Sequence, residues 1–142
     1  MVRKAGITLA LVAGAFMLGF LAGRETPVAA QGANRVFEIR TYTTENKAGL
    51  DALVARMRAG ETRLFEKAGM TGIGYFVATD APKAENTYIY ILAHANADRA
   101  KESWAKFRED PEWLKLRETS APTGMVKVES TFVRPADFSP LK

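Results

Sequence analysis

No stretch of this chain narrows its folding options more than Thr87 to His94, TYIYILAH. Successive side chains of a β-strand point to opposite faces. Tyr88, Tyr90, Leu92 and His94 therefore share one face, and Ile89, Ile91 and Ala93 the other. Both faces are apolar or aromatic. A strand of this kind needs cover on each side, because a sheet face rich in apolar side chains is not left in water.

The segments around it indicate what supplies that cover. Val36 to Thr43, VFEIRTYT, alternates as a first strand. Phe37, Ile39 and Thr41 lie on one face; Val36, Glu38, Arg40 and Tyr42 lie on the other. After a turn with Thr44 or Asn46 as cap, Ala48 to Ala68 follows helical period. Leu50, Leu53, Val54, Met57, Leu64, Phe65 and Ala68 form its apolar stripe, interrupted at Gly60 and Glu61 and closed by Gly69. Met70 to Ala78 reads as strand two, with Gly72 and Gly74 on one face beside Met70 and Phe76 and a bulge suggested by the glycines. Thr87 to His94 is strand three. Asn96 caps a second helix, Ala97 to Glu109, whose buried face is Ala100, Trp104 and Phe107. Asp110 then caps a short helix, Pro111 to Glu118, with proline where no amide donor is needed. Trp113 and Leu114 dock that helix on the core. Met125 to Arg134 is strand four.

The order β-α-β-β-α-β is the split βαβ arrangement, an α+β ferredoxin-like fold with a four-stranded antiparallel sheet and helices on one face. Helices on one face leave the other apolar face open. The pattern therefore predicts a homodimer whose sheets pack face to face.

Several segments carry a family resemblance: FEIRTY (Phe37 to Tyr42), LFEKAGM (Leu64 to Met70) followed by Gly74, YIYILAH, WAKFREDPEW (Trp104 to Trp113) and FVRPADFSP (Phe132 to Pro140). In order and spacing the chain resembles the NIPSNAP family of the dimeric α+β barrel superfamily over nearly all of residues 36–140. The resemblance implies a ferredoxin-like fold and a face-to-face dimer. It implies no defined activity: eukaryotic members are linked to mitochondria and vesicle traffic. The wider superfamily includes cofactor-independent monooxygenases and haem-degrading enzymes, which is an analogy at the level of fold.

Residues 1–30 are of another kind. Arg3 and Lys4 precede an uncharged run from Ala5 to Ala22, and Val28, Ala29 and Ala30 precede Gln31. This is the pattern of a secretory signal peptide cleaved after Ala30, or of a membrane anchor if the run is retained, since it spans roughly 27 Å as a helix. Either way the domain, residues 36–140 after a linker at 31–35, lies outside the cytoplasm, periplasmic or secreted. Without Arg3, Lys4, Arg24 and Glu25, the 20 basic and 16 acidic residues become 17 and 15, a net +2. That is weak ground for nucleic-acid binding.

The chemistry on offer is limited. There is no cysteine and one histidine, His94, which excludes zinc, haem-thiolate and iron–sulfur centres; the expectation is no metal site and no cofactor, with a haem held by His94 alone as the alternative. Nucleophile-elbow, Walker and dinucleotide motifs are missing. His94, at a strand end, is the candidate catalytic acid or base, or else a hydrogen-bonded, partly exposed histidine. Arg40 and Tyr42 share a face with Glu38 and offer a polar ligand contact, or an ion pair. Glu61 falls on an apolar stripe, where a carboxylate is costly unless paired. Tyr75, Tyr88 and Tyr90 with Trp104 are candidates for an aromatic pocket or for plain core. The expected function is an exported homodimeric domain binding a small apolar or aromatic ligand at Arg40, Tyr42, Glu61, Tyr75, Tyr90 and Trp104. The alternatives are a cofactor-independent monooxygenase-like or isomerase-like enzyme, using His94 or a tyrosine for proton transfer, and a membrane-tethered interaction module.

Overall fold

The structure, a computed structural model, describes residues 35–142. The expected signal segment at 1–30, and residues 31–34 of the linker, lie outside the described residues. β1 (Val36–Thr44) is paired on one side with β3 (Thr87–His94) and on the other with β4 (Met125–Val133); β2 (Thr71–Val77) pairs the far side of β3. All pairings are antiparallel and the order is β2-β3-β1-β4. The helices are α1 (Lys47–Arg56), α2 (Thr62–Lys67), α3 (Ala97–Glu109) and α4 (Pro111–Thr119). This is the α+β ferredoxin-like architecture. Among the described residues no helix is long and apolar enough to cross a membrane.

Helix starts follow from local chemistry. The first amides of a helix have no partner inside it, so a side-chain acceptor supplies one. Asn46 accepts from the Gly49 amide, Asn96 from Arg99 and Asp110 from Glu112, with Pro111 in the first turn of α4.

The core lies between the helices and one sheet face. Tyr42, Tyr88, Tyr90 and Leu92 from the sheet pack with Leu50, Leu53, Met57, Leu64, Phe65, Phe107 and Trp113. Trp113 is buried, but Leu114 is 42% exposed and does not dock. A helix turns by about 100° per residue, so neighbours cannot both face the core. The buried face of α3 is Ala100, Ser103 and Phe107, with Trp104 only partly covered.

Two irregularities change the expected geometry. The first long helix is broken into α1 and α2 by a π-helical turn, Met57–Glu61, in which Gly60 has φ 151. The break leaves both Met57 and Glu61 buried. The second is a register shift in β2 between Gly72 and Gly74. Gly72 lies opposite Leu92 and Gly74 opposite Ile91, so the two glycines are on opposite faces of the sheet, not on one. The extra residue, Ile73, reverses the alternation.

Gly60→Ala is expected to destabilise the protein by roughly 1–3 kcal/mol, because an L side chain at that φ is strained. Space is not the obstacle, since a Cβ there meets only Leu116 Cδ2, at 3.9 Å. Urea denaturation measures the loss; an unchanged midpoint would mean the π turn relaxes without cost.

On its other face the sheet carries Ile39, Thr41, Ile89, Ile91 and Ala93, with the half-exposed Phe76 on the β2 edge. β4 is uncovered on both faces. Its helix-side residues Val128, Ser130 and Phe132 pair with Tyr42, Arg40 and Glu38, yet are exposed.

Candidate functional site: a buried carboxylate beside an open strip

Glu38 stands on the helix side of β1, the sheet's second inner strand, and is 1% exposed. An isolated buried carboxylate is costly, so its surroundings must hold it. Four side chains do. Arg40 Nη1 donates to Oε1 at 2.9 Å and Ser130 Oγ to the same oxygen at 2.6 Å. Trp104 Nε1 donates to Oε2 at 2.7 Å, and His94 Nε2 lies 3.1 Å from it. Burial pushes the Glu38 carboxyl up, but the hydrogen bonds from His94, Ser130 and Trp104 and the charge of Arg40 outweigh it and hold it at about 2. Glu38 is therefore ionised, and it ties β1, β3, β4 and α3 together.

Arg40 sits over the Trp104 indole at 4.3 Å and near the Tyr42 ring at 5.5 Å, a cation–π arrangement. One guanidinium nitrogen serves Glu38. Another, Nε, is buried without a protein partner among the described residues, as is Nδ1 of His94. Tyr42 and Tyr90 share a hydrogen bond of 2.9 Å between their hydroxyls, and Tyr90 stacks on Phe65 at 5.4 Å. Burial raises Tyr88 to about 12 and Tyr90 well above the ordinary 10. These phenols stay protonated near neutral pH and do not act as bases there.

Five of the candidate residues thus converge: Arg40, Trp104 and His94 on Glu38, and Tyr42 and Tyr90 beneath the guanidinium. Two do not join them. The Glu61 carboxylate is taken by Arg56 at 2.7 Å, under the π turn; burial raises it and Arg56 opposes that rise. Tyr75 stands on the β2 edge, 37% exposed, against Tyr90 at 6.1 Å between ring centres. His94, expected at least partly in water, is 2% exposed, because its strand end lies under Phe132 with ring centres 5.9 Å apart. Ser130 had no visible signal: a serine in an alternating edge strand reads as a solvent-facing residue.

The space under the helices is filled. Tyr90, Phe65 and Leu53 are all 0% exposed. Elsewhere on the surface, clefts include one of about 740 Å³ at the end of the sheet, lined by Arg35, Phe132, Arg134 and Lys142 among others, and one of about 360 Å³ between Gly60 and Leu116. Among the described residues no cluster of three or more acidic or histidine side chains suits a metal ion.

The NIPSNAP family model matches residues 37–140, most of the chain. The chain belongs to the NIPSNAP family. A NIPSNAP family protein of unknown function from Agrobacterium tumefaciens is 27% identical, with a TM-score of 0.67 over 77% of this chain and 95% of that one. An uncharacterized NIPSNAP-like domain protein from Burkholderia xenovorans is 18% identical, with a TM-score of 0.65 over 75% and 90%. SnoaB, a cofactor-independent oxygenase from Streptomyces nogalater, is 17% identical, with a TM-score of 0.47 over 76% and 99%, too distant to bear on the chemistry of this NIPSNAP domain. No curated protein matches the sequence significantly.

Proposed function

We propose that this NIPSNAP domain is an exported homodimer that binds a small aromatic ligand bearing a carboxylate or an acidic hydroxyl, at Arg40. The observation that carries the reading is the Arg40 guanidinium: stacked on Trp104, it has a buried nitrogen without a protein partner, beside an uncovered strip of β4. A buried donor left unpaired costs roughly 1–3 kcal/mol, which a ligand acceptor recovers. The aromatic class is favoured because Trp104 and Phe132 flank the approach, and flat rings pack on such surfaces. An enzyme working in a pocket beneath the helices is disfavoured, because Phe65 and Tyr90 fill that space.

The dimer has separate support. Ile89 and Ile91 lie on the sheet face that no helix covers, in line with Ile39 and Phe76. Ile91→Asp is expected to convert the dimer into a monomer in light-scattering chromatography; a wild-type chain that already runs as a monomer would refute the arrangement.

Export rests on the positive start, the uncharged run to Ala22 and the small residues before Gln31. Mass spectrometry of protein from its own host should find Gln31 at the N-terminus. Residues 5–22 found intact in a membrane fraction would favour the tethered module instead.

The ligand reading is tested by titrating benzoate and para-nitrophenol into the full chain and following tryptophan fluorescence. Arg40→Lys should weaken binding about tenfold or more, since a charged hydrogen bond contributes roughly 1.5–3 kcal/mol and lysine lacks the planar fork. Equal affinity in the variant would remove Arg40 from the ligand's contacts.

A further inference from the structure

A second unpaired atom lies on the other side of the same carboxylate. Glu38 is ionised, so both its oxygens only accept hydrogen bonds. The contact between His94 Nε2 and Glu38 Oε2 at 3.1 Å therefore requires a hydrogen on Nε2. That fixes the tautomer: in the neutral imidazole the other nitrogen, Nδ1, is a bare lone pair. It is buried and has no protein partner among the described residues. A carboxylate holding one imidazole nitrogen as a donor, with the other left as an acceptor, is an oriented base.

Its surroundings suit such a role. Phe132 packs on the His94 ring, with ring centres 5.9 Å apart, and also lines the cleft of about 740 Å³ at the sheet end. Phe132 is 51% exposed, stands on the edge strand β4 and is not part of the core cluster, so the movement that opening His94 to the cleft requires is of a ring outside the packed core. Arg35, Arg134 and Lys142 line the same cleft against one side-chain carboxylate, Asp137, a net positive lining that favours an anionic product over its neutral parent. Ser130 holds Glu38 at Oε1 and Trp104 holds it at Oε2, the oxygen it shares with His94, so the carboxylate does not swing away when the imidazole becomes charged.

We propose that Glu38 and His94 form a proton-accepting dyad that ionises a phenol or enol bound over β4. The ligand O–H bond breaks, its proton passes to His94 Nδ1, and its electron pair stays on oxygen as a phenolate or enolate. The imidazolium is stabilised by the Glu38 carboxylate. No electron, metal or second reactant enters the step. His94 is the group that touches the ligand, and Glu38 is a positioning residue. The inference rests on the ligand reading above and adds a chemical act to it.

Two measurements on the full, tag-free chain test it. His94 is the only histidine, so nitrogen NMR of isotope-labelled histidine reads this ring alone. The free protein should show the hydrogen on Nε2, and saturation with para-nitrophenol should protonate both nitrogens. In parallel, para-nitrophenol is bound in buffer on the acid side of its own ionisation. The phenolate-to-phenol ratio of bound probe should exceed that of free probe about tenfold or more, one pKa unit of differential stabilisation. His94→Gln, which keeps a donor for Glu38, should bind the probe and lose this excess. A free-state hydrogen on Nδ1 would overturn the dyad. So would bound probe that stays neutral, or a phenolate band undiminished in His94→Gln; each leaves the Arg40 binding reading standing. Absence of any binding by the probe or by benzoate removes both.

Discussion

Glu38→Ala is expected to cost about 3–5 kcal/mol of folding stability, the effect of removing one partner from a buried ion pair. The substitution does more than delete a charge. It leaves the Arg40 guanidinium over Trp104 without its carboxylate, and takes the acceptor from Ser130, Trp104 and His94 together. Each orphaned polar group carries a desolvation penalty. These effects share one carboxylate, so they do not add independently. Glu38→Gln is the sharper variant, because it keeps the shape and removes the charge. Its cost depends on pH in a definite direction. The folded carboxyl, at about 2, lies below its ordinary 4.5, so the folded state binds the proton less readily than the unfolded chain. The stability that ionised Glu38 contributes is fully present above about 4.5 and is lost as pH falls from there towards about 2. The gap between wild type and Glu38→Gln should be largest near neutral pH, roughly 3 kcal/mol at most, and should shrink at pH values below about 4. Urea titrations at the two pH values measure it. A gap that is constant with pH would mean that Glu38 is not held ionised by its neighbours.

The centre around Glu38 also marks where sequence reasoning stops. The order of strands and helices was legible, because period-two and helical runs alternate and because Asn46, Asn96 and Asp110 announce helix starts. The shared face of Glu38, Arg40 and Tyr42 was legible for the same reason. Their partners were not. Trp104 and Ser130 lie 66 and 92 residues further along the chain, and no local pattern joins them to Glu38. Trp104 reads as a core residue from its helical spacing, yet its indole donates to a carboxylate and its ring supports a guanidinium. His94 reads as a partly exposed residue at a strand end; burial under Phe132 depends on where strand four falls. In β2 the glycines signal a bulge, but which face each glycine takes depends on the single residue that is bulged out, and register is set by pairing with β3. Glu61 shows the same limit. A carboxylate on an apolar stripe requires a partner, but only the π turn brings Arg56 to it.

Phe65→Ala should bring the second large loss, about 3–5 kcal/mol, by opening a cavity where the helix layer meets the sheet. Phe65 is 0% exposed and lies at the centre of an aromatic group: Tyr90 stacks on it at 5.4 Å, Phe107 lies at 4.9 Å, and Trp104 meets it edge-on at 5.7 Å. Aromatic pairs of this kind add roughly 0.5–1.5 kcal/mol each beyond the area they bury. The neighbours cannot close in easily. Tyr90 is held by the Tyr42 hydroxyl, and Trp104 by Glu38, so the space should stay open. The variant therefore also bears on function. A created cavity should bind a small apolar probe such as benzene and regain part of the lost stability, whereas wild type, filled at this point, should gain nothing from it. The thermal midpoint, with and without benzene, measures both effects. A loss below about 1 kcal/mol, or stabilisation of the wild type by benzene, would mean that a ligand space already exists beneath the helices, and would move the binding site away from the β4 strip to the position that Tyr42, Tyr90 and Trp104 share.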